Sequence, residues 1–249
     1  MINLQNVTKR FPIVDENLIN NEQVRNGYFY ALEDISLSIT EGECTIIAGA
    51  NGSGKSLLMS IIAGLEEPTS GKVNIKDKVG LVFQEPDAQI LGETPREDIA
   101  FGPRNMKLKR NEITERVNNA LIQTGLEQRA DFPARSLSGG EKRRLATAGV
   151  LAMDARIIIF DEPYANMDYP GVVQVNKLFQ KLIADGKTVI ILTHELEKCL
   201  ALAKRFIILY KGKKVFDGAA SLALESDLEY WGIHHPLKNN SNKIESLLW

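Results

Sequence analysis

A glycine-rich segment carries the first pattern with an evident chemistry. It consists of Gly49, Ala50, Asn51, Gly52, Ser53, Gly54, Lys55 and Ser56. A glycine, four residues and then Gly-Lys-Ser is the pattern of loops that bind the phosphates of a nucleoside triphosphate. The glycines let backbone N–H groups point inward at an anion, the Lys55 ammonium can reach the β- and γ-phosphates, and the Ser56 hydroxyl can bind Mg²⁺. The sequence therefore predicts a triphosphate site here.

The flanking residues supply the elements that such a loop needs. Residues 44–48 are apolar and predict a buried strand, and residues 57–63 predict a helix that ends at Gly64. A loop between a strand and a helix N-terminus is a favourable anion site, because the first helical N–H groups have no partner within the helix.

Two further segments could complete a site. Asp161 and Glu162 follow the apolar run 157–160, where the first carboxylate would hold Mg²⁺ and the second would orient or deprotonate a water molecule. Ser138, Gly139 and Gly140 precede a helix and look like a second anion-binding turn. Because one triphosphate does not need two phosphate-binding turns, we expect this second turn, if it faces outward, to close over the nucleotide of another subunit.

Composition limits the class of protein. Of the 249 residues, 44% are hydrophobic and 25% are charged, which is typical of a globular protein. The net charge of −2 gives no electrostatic reason to expect nucleic acid as a partner. Cys44 and Cys199 lie in apolar stretches and suit buried thiols in a reducing compartment. With no leader and no apolar run of membrane-spanning length, we expect a cytosolic protein or one on the cytosolic face of a membrane.

The order of predicted elements indicates an α/β fold. Continuous apolar strands at 157–160 and 188–192 enclose a helix at 172–184, which predicts a βαβ unit in a parallel sheet. The pattern also predicts a polar loop over 15–27 and helices at 113–124 and 145–153. Further strands are predicted at 2–10, 31–39, 73–75 and 79–83, with a hairpin formed by 206–210 and 214–216.

Taken in order, these segments resemble the nucleotide-binding subunits of the ABC transporter family. The phosphate loop matches Walker A, Gln84 the Q-loop glutamine, and residues 137–141 the signature. Residues 157–161 match Walker B, residues 165–168 the D-loop, and His194 the switch histidine. The resemblance implies a P-loop NTPase (RecA-like) core with an antiparallel β subdomain and an inserted α-helical subdomain. It places the core at about 1–85 and 145–225, the helical subdomain at about 86–144 and a C-terminal segment at about 226–249.

The resemblance also implies a set of roles. Two subunits would pair head to tail, with ATP and Mg²⁺ between the phosphate loop of one and Ser138, Gly139 and Gly140 of the other. Glu162 would be the general base and His194 would hold the γ-phosphate and water in line. The catalytic residues would be Glu162, His194, Gln84 and Lys55, and the Mg²⁺ ligands Ser56, Gln84 and Asp161.

A closer resemblance concerns the helical insert. Residues 83–89 and 97–103 are similar to the ATPases of energy-coupling-factor and cobalt-type importers. Those ATPases form homo- or heterodimers beneath a transmembrane coupling subunit, while a separate membrane protein captures a vitamin or a metal ion. The implied place is the cytoplasmic face of the cell membrane. An exporter or lipoprotein-type ABC ATPase and a non-hydrolysing regulatory subunit stay open as alternatives, whereas a DNA-maintenance ATPase would need a long coiled coil that this insert is too short to hold.

The chain departs from the family pattern at two places in the nucleotide site. Leu57 stands where the family usually has a threonine that meets the α-phosphate. The aromatic residue that stacks on adenine is best matched by Phe11, with Tyr28 and Tyr30 as alternatives. Outside the site, the apolar tail 228–249 fits either a dimer contact or a segment packed on its own domain.

Overall fold

A computed structural model of the chain describes residues 1–13, 22–238 and 244, which form two β-sheets with helices packed around them. The strands are β1 (Ile2–Pro12), β2 (Val24–Arg25), β3 (Tyr28–Ile39), β4 (Cys44–Ala48), β5 (Ser70–Ile75), β6 (Val79–Val82), β7 (Ile157–Asp161), β8 (Thr188–Leu192), β9 (Arg205–Tyr210) and β10 (Lys213–Gly218). The α-helices are α1 (Lys55–Ile62), α2 (Pro95–Asn105), α3 (Arg110–Thr124), α4 (Gly139–Ala152), α5 (Tyr169–Ala184) and α6 (Ala220–Ala223).

The larger sheet has the order β10-β9-β4-β8-β7-β6, and its strands are parallel except for β10. Successive residues of the central strands point to opposite faces and enter two different apolar clusters. Ile158 and Ile191 pack on the side of α5, whereas Ile159 and Ile190 pack on the side of α1 and the second sheet. Burial on both faces explains why these strands are continuously apolar. The predicted βαβ unit and the β9–β10 hairpin are confirmed.

The smaller sheet, ordered β2-β3-β1-β5, is antiparallel and covers α1. One sequence prediction within it is wrong. Residues 24–25, assigned to a polar loop, form β2 and pair with the first residues of β3, which begins at Tyr28 rather than at residue 31. The turn between them is Asn26-Gly27, with φ of 51° and 77°, and this dipeptide favours a two-residue hairpin turn. The rest of the predicted loop, residues 15–21, lies outside the described residues.

The helical insert contains α2, α3 and the start of α4, which share an apolar cluster that includes Ile99, Leu121 and Leu145. The end of α3 at Gly125 is confirmed, because this glycine caps the helix in the left-handed conformation. The start predicted for α4, residue 145, is wrong. The helix begins at Gly139, because Ser138 and Glu141 form a capping box that fixes the N-terminus earlier.

The segment after β10 packs on its own domain as far as it is described. Leu228 and Ile233 are buried in the cluster beneath α5, and Trp231 and Leu237 pack against it. Residues 239–243 and 245–249 of the predicted tail lie outside the described residues. Cys44 and Cys199 are buried free thiols, as expected. No helix in the described ranges has the length and apolar character needed to cross a membrane.

Candidate functional site

The glycine-rich loop joins β4 to α1 at the carboxyl edge of the parallel sheet. Gly54 caps α1 with φ of 101°, and a Cβ placed on it would lie 2.6 Å from the Leu32 side chain and 3.0 Å from the Ala31 carbonyl. A Cβ on Gly49 would lie 2.3 Å from the carbonyl oxygen of Leu209. The loop is therefore pressed between β3 and β9, and only glycine fits at these two positions. This packing holds the unpartnered N–H groups at the start of α1 in place.

Lys55 lies beneath the loop and is 7% exposed. Its Nζ donates to the carbonyl oxygens of Gly49 at 2.7 Å and Ala50 at 3.3 Å, and it lies 4.0 Å from Oε1 of Glu162. Burial lowers the pKa of Lys55, and the neighbouring carboxylates of Glu162 and Asp161 oppose that shift. The ammonium thus bridges the two ends of the loop and faces the acidic strand end.

Ser56 and Asp161 bring two oxygen ligands together where α1 meets β7. The Ser56 hydroxyl donates to Oδ2 of Asp161 at 3.2 Å. Burial raises the pKa of Asp161, and the hydrogen bond from Ser56 opposes this shift. Hydroxyl and carboxylate oxygens are the ligands that Mg²⁺ prefers. The Ser56 hydroxyl and the Asp161 carboxylate therefore fit a magnesium ion.

Glu162 and His194 meet at the ends of neighbouring strands, because Asp161 of β7 pairs with Leu192 of β8. Nδ1 of His194 lies at hydrogen-bond distance, 3.0 Å, from Oε1 of Glu162. Glu162 is 8% exposed, and its Oε2 has no hydrogen-bond partner within the described part of the chain. Its backbone has φ of 44°, which is unusual for a residue with a side chain and is often found at functional sites. A buried carboxylate oriented by an imidazole is suited to accept a proton.

Most of these residues line one cavity of about 320 Å³, whereas His194 is not among its lining residues and contacts the site through Glu162. Its walls are formed by Asn51, Gly52, Gly54, Lys55, Ser56 and Leu57 from the loop and α1, by Asp161 and Glu162, by Gln84, and by Phe29 and Ala31 from β3. The geometry thus brings together the loop, the acidic strand end and Gln84, which are far apart in the sequence.

The aromatic residue on this cavity is Phe29, not Phe11. Phe11 pairs with Phe29 across β1 and β3, but it is absent from the cavity wall and is 41% exposed. Tyr28 and Tyr30 alternate with Phe29 along β3 and both contact the Arg10 guanidinium, whose carbon lies 4.2 Å from the Tyr28 ring centre. Phe29 and Ala31 lie on the same face of β3 and both line the cavity, whereas alternation places Tyr28 and Tyr30 on the opposite face.

Ser138, Gly139 and Gly140 do not line the loop cavity. They line a separate groove of about 890 Å³ together with residues 165–168, and Gln84 contributes to both spaces. Ser138 is held by its capping box, in which its N–H donates to Oε2 of Glu141 at 2.8 Å. A Cβ placed on Gly139 or Gly140 would meet no atom within 4 Å. Within the described part of the chain, nothing in the packing requires glycine at these positions.

Comparisons with known proteins agree with this arrangement. A family model described as ABC transporter matches residues 32–165. The energy-coupling factor transporter ATP-binding protein EcfA2 of Methanospirillum hungatei is 38% identical over 232 residues, which cover 86% of this chain and 58% of that protein. The solved structure of cbiO1 from Clostridium perfringens, described as part of the ABC transporter complex cbiONQ, has a TM-score of 0.78 at 32% identity and covers 90% of both chains.

A second solved structure records two subunits and a nucleotide. It is the dimeric post-hydrolysis state of the ATP-binding cassette MJ0796 bound to ADP and Pi. Its TM-score is 0.74 at 31% identity, and the match covers 88% of this chain and 99% of that one.

Proposed function

The chain belongs to the ABC transporter family, and on that premise we propose that it is the ATP-hydrolysing subunit of an importer of the energy-coupling-factor type. The solved cassettes confirm the predicted fold class, a P-loop NTPase core with an antiparallel β subdomain and an inserted helical subdomain. The observation that carries the proposal is the single cavity that unites the phosphate loop with Asp161 and Glu162. The domain bounds drawn from the sequence stay a prediction.

Nucleotide binding would rest on the loop and on Phe29. The N–H groups at the start of α1 would point at the phosphates, because the partial positive charge of a helix N-terminus favours an anion there. Lys55 would exchange its contacts with the Gly49 and Ala50 carbonyls for phosphate oxygens. We assign adenine stacking to Phe29, because it lines the cavity whereas the three predicted candidates, Phe11, Tyr28 and Tyr30, do not.

Hydrolysis would rest on Glu162 and His194. In phosphoryl transfer a protein mainly positions the reactants and neutralises charge. Oε2 of Glu162 would accept the proton of the attacking water, while His194 would orient the carboxylate through Oε1. The family resemblance implies that His194 would also contact the γ-phosphate. Ser56, Asp161 and Gln84 would hold Mg²⁺, whose positive charge would offset the charge of the phosphates.

The second half of the site would come from another subunit. Gly139 and Gly140 have open space in front of their Cα atoms, and Ser138 leads the exposed N-terminus of α4 away from the loop cavity of its own chain. No contact within the described part of the chain requires glycine at these two positions. Their lack of a side chain would instead let a nucleotide bound to a partner subunit approach the backbone closely. We therefore propose a head-to-tail dimer, either of two copies or with a second ABC ATPase.

The remaining partners follow from the relatives. The Methanospirillum protein is named as a component of an energy-coupling factor transporter. For this chain we propose a transmembrane coupling subunit, a membrane protein that captures a vitamin or transition-metal ion, and a place on the cytoplasmic face of the cell membrane. The ATPase does not contact the cargo, so nothing in its chain selects one.

The test measures ATP hydrolysis and identifies the proteins that bind the chain. The chain is purified from solubilised membranes, its co-purifying proteins are identified by mass spectrometry, and Mg²⁺-dependent release of phosphate from ATP is measured. Glu162→Gln should lower turnover about 10²- to 10⁴-fold, the contribution of a positioned general base, and leave ATP binding intact. Glu127→Gln, at an exposed site on the helical insert, is the matched control and should hydrolyse ATP like the unchanged chain.

Three outcomes would contradict parts of the proposal. Turnover unaffected by Glu162→Gln removes the assignment of the general base. A chain that binds ATP without hydrolysing it in the complete complex is a regulatory subunit. Co-purification with the membrane domain of an exporter places the chain in another branch of the family.

A further inference from the structure

A buried tyrosine connects the segment that carries Glu162 with the segment that carries His194. Tyr164 is fully buried, and its ring packs edge-on against Phe179 of α5 with ring centres 6.2 Å apart. Its hydroxyl donates to Oδ1 of Asn176, also on α5, at 2.7 Å. Nδ2 of Asn176 then donates to the backbone carbonyl of Lys198 at 2.8 Å. Two consecutive hydrogen bonds therefore cross the core from one segment to the other.

Short turns connect each end of these two hydrogen bonds to Glu162 or to the neighbour of His194. Two turns follow Glu162, in which the N–H of Ala165 donates to the Glu162 carbonyl and the N–H of Met167 donates to the Tyr164 carbonyl, both at 3.2 Å. On the other side, Lys198 ends a turn that starts at Glu195, and the N–H of Lys198 donates to the Glu195 carbonyl at 3.3 Å. The connection is thus two residues from Glu162 and four residues from His194.

The segment after Glu162 needs such a restraint. Glu162 and Asn166 both have left-handed backbones, with φ of 44° and 58°. Residues in this conformation persist only where the surrounding structure holds them. The Phe179 contact positions the ring of Tyr164. Its hydroxyl reaches the segment that carries His194 through Asn176, and it also interacts with the Cys199 thiol of that segment.

Packing alone does not explain the polar groups. A phenylalanine at 164 and a leucine at 176 would fill similar volumes in an apolar cluster, and a buried hydroxyl gives little net stability after the loss of its bonds to water. A fully satisfied buried network instead fixes one arrangement of the elements that it joins. Burial also raises the pKa of Tyr164 well above its usual value, so the phenol keeps the proton that it donates.

We propose that Tyr164 is a positioning residue that acts through Asn176 and the Lys198 carbonyl to hold Glu162 and His194 at their hydrogen-bond distance during hydrolysis. The inference rests on the proposed function, because it assigns a catalytic purpose to that distance. Tyr164 contacts neither nucleotide nor water in this role.

The test uses the single variants Tyr164→Phe and Asn176→Leu and the double variant in the purified complex. Each single variant should lower kcat about 10-fold, since misplacement of a catalytic group by a fraction of an ångström has effects of this order. KM for ATP should stay within about twofold, because the connection lies outside the loop cavity. As the two bonds act in series, the double variant should lose no more than either single variant.

Thr124→Val is the matched control. It removes another buried hydroxyl, one that donates to the Ala120 carbonyl within α3 at 2.8 Å, and should leave kcat unchanged. The double variant also removes the Tyr164 hydroxyl that Asn176→Leu leaves without its acceptor, so its melting temperature should be higher than that of Asn176→Leu while kcat stays low. If kcat follows the melting temperature, or if the two single effects multiply in the double variant, Tyr164 has only a structural role.

Amide hydrogen exchange separates this inference from the proposed function. Tyr164→Phe should speed exchange in both residues 162–168 and residues 193–199, whether or not the chain hydrolyses ATP. Absence of ATP hydrolysis in the unchanged complex would refute the proposed function alone. Unchanged exchange in residues 193–199 would refute the connection through Asn176, whatever the ATPase activity.

Discussion

Leu57 is the position where one substitution should change nucleotide affinity most directly. It is the third residue of α1, it lines the loop cavity beside Lys55 and Ser56, and its N–H belongs to the unpartnered first turn of the helix. Its side chain is half-buried and packs against the apolar cluster of the second sheet. Leu57→Thr would place a hydroxyl at the nucleotide and remove part of that packing.

The two consequences of Leu57→Thr act on different quantities. A hydrogen bond to a charged group contributes about 1.5–3 kcal/mol, which corresponds to a Kd for ATP about 10- to 100-fold lower. In the proposed site, backbone N–H groups of the same turn would also bind the phosphates, so we expect the lower end, about 10-fold. The lost packing lowers the free energy of unfolding by about 1 kcal/mol, the value of about one buried methylene. That loss is common to the free and bound chain, so it does not offset the gain in affinity.

The affinity is measured by titration with a fluorescent ATP analogue and Mg²⁺ in the Glu162→Gln background, which prevents turnover. Leu57→Val is the control, because valine has the shape of threonine and loses similar packing without adding a hydroxyl. Both variants should melt at a lower temperature than the parent without nucleotide, and only the threonine variant should bind more tightly. Equal Kd values for the two variants would refute the reasoning and show that the backbone already satisfies the phosphate.

Two further predictions concern the adenine contact and the sheet edge. Phe29→Ala should raise the Kd for ATP about 10-fold, within the range of one base–aromatic stack, while Phe11→Ala should have little effect; the reverse order in the same titration would restore Phe11 as the stacking residue. At the β9–β10 edge, burial alone would raise the pKa of Asp217, but hydrogen bonds from Arg205 and Lys214 lower it below its usual 3.8. The ionised carboxylate therefore stabilises the fold at pH values above 3.8, and this contribution is lost as the pH falls through the lowered pKa of the folded state. Asp217→Asn should lower the free energy of unfolding by about 1 kcal/mol at neutral pH. Urea unfolding at pH 7 and at about pH 3 should show that difference closing; a difference independent of pH would exclude the ion pair as its source.

The sequence alone was sufficient for features that depend on neighbours along the chain. The phosphate loop, the strand before it and the helix after it follow from glycine spacing and apolar runs, and Gly125 ends α3 where predicted. The continuous apolar runs of β7 and β8 also identified a parallel sheet covered on both faces. Two predictions were wrong although the local sequence carries the relevant pattern. The Asn26-Gly27 turn was assigned to a polar loop, and the start of α4 was placed after its cap at Ser138.

Other features were decided only when distant segments met. Phe11 and Phe29 are equally aromatic, and the register and packing of β1 and β3 determine which ring reaches the cavity. The pairing of β7 with β8 sets the 3.0 Å distance between Glu162 and His194, which are 32 positions apart in the chain. The separation of Ser138 from the phosphate loop likewise depends on how the helical insert packs on the core. Residue types specify which groups are present, whereas tertiary packing fixes the distances on which their chemistry depends.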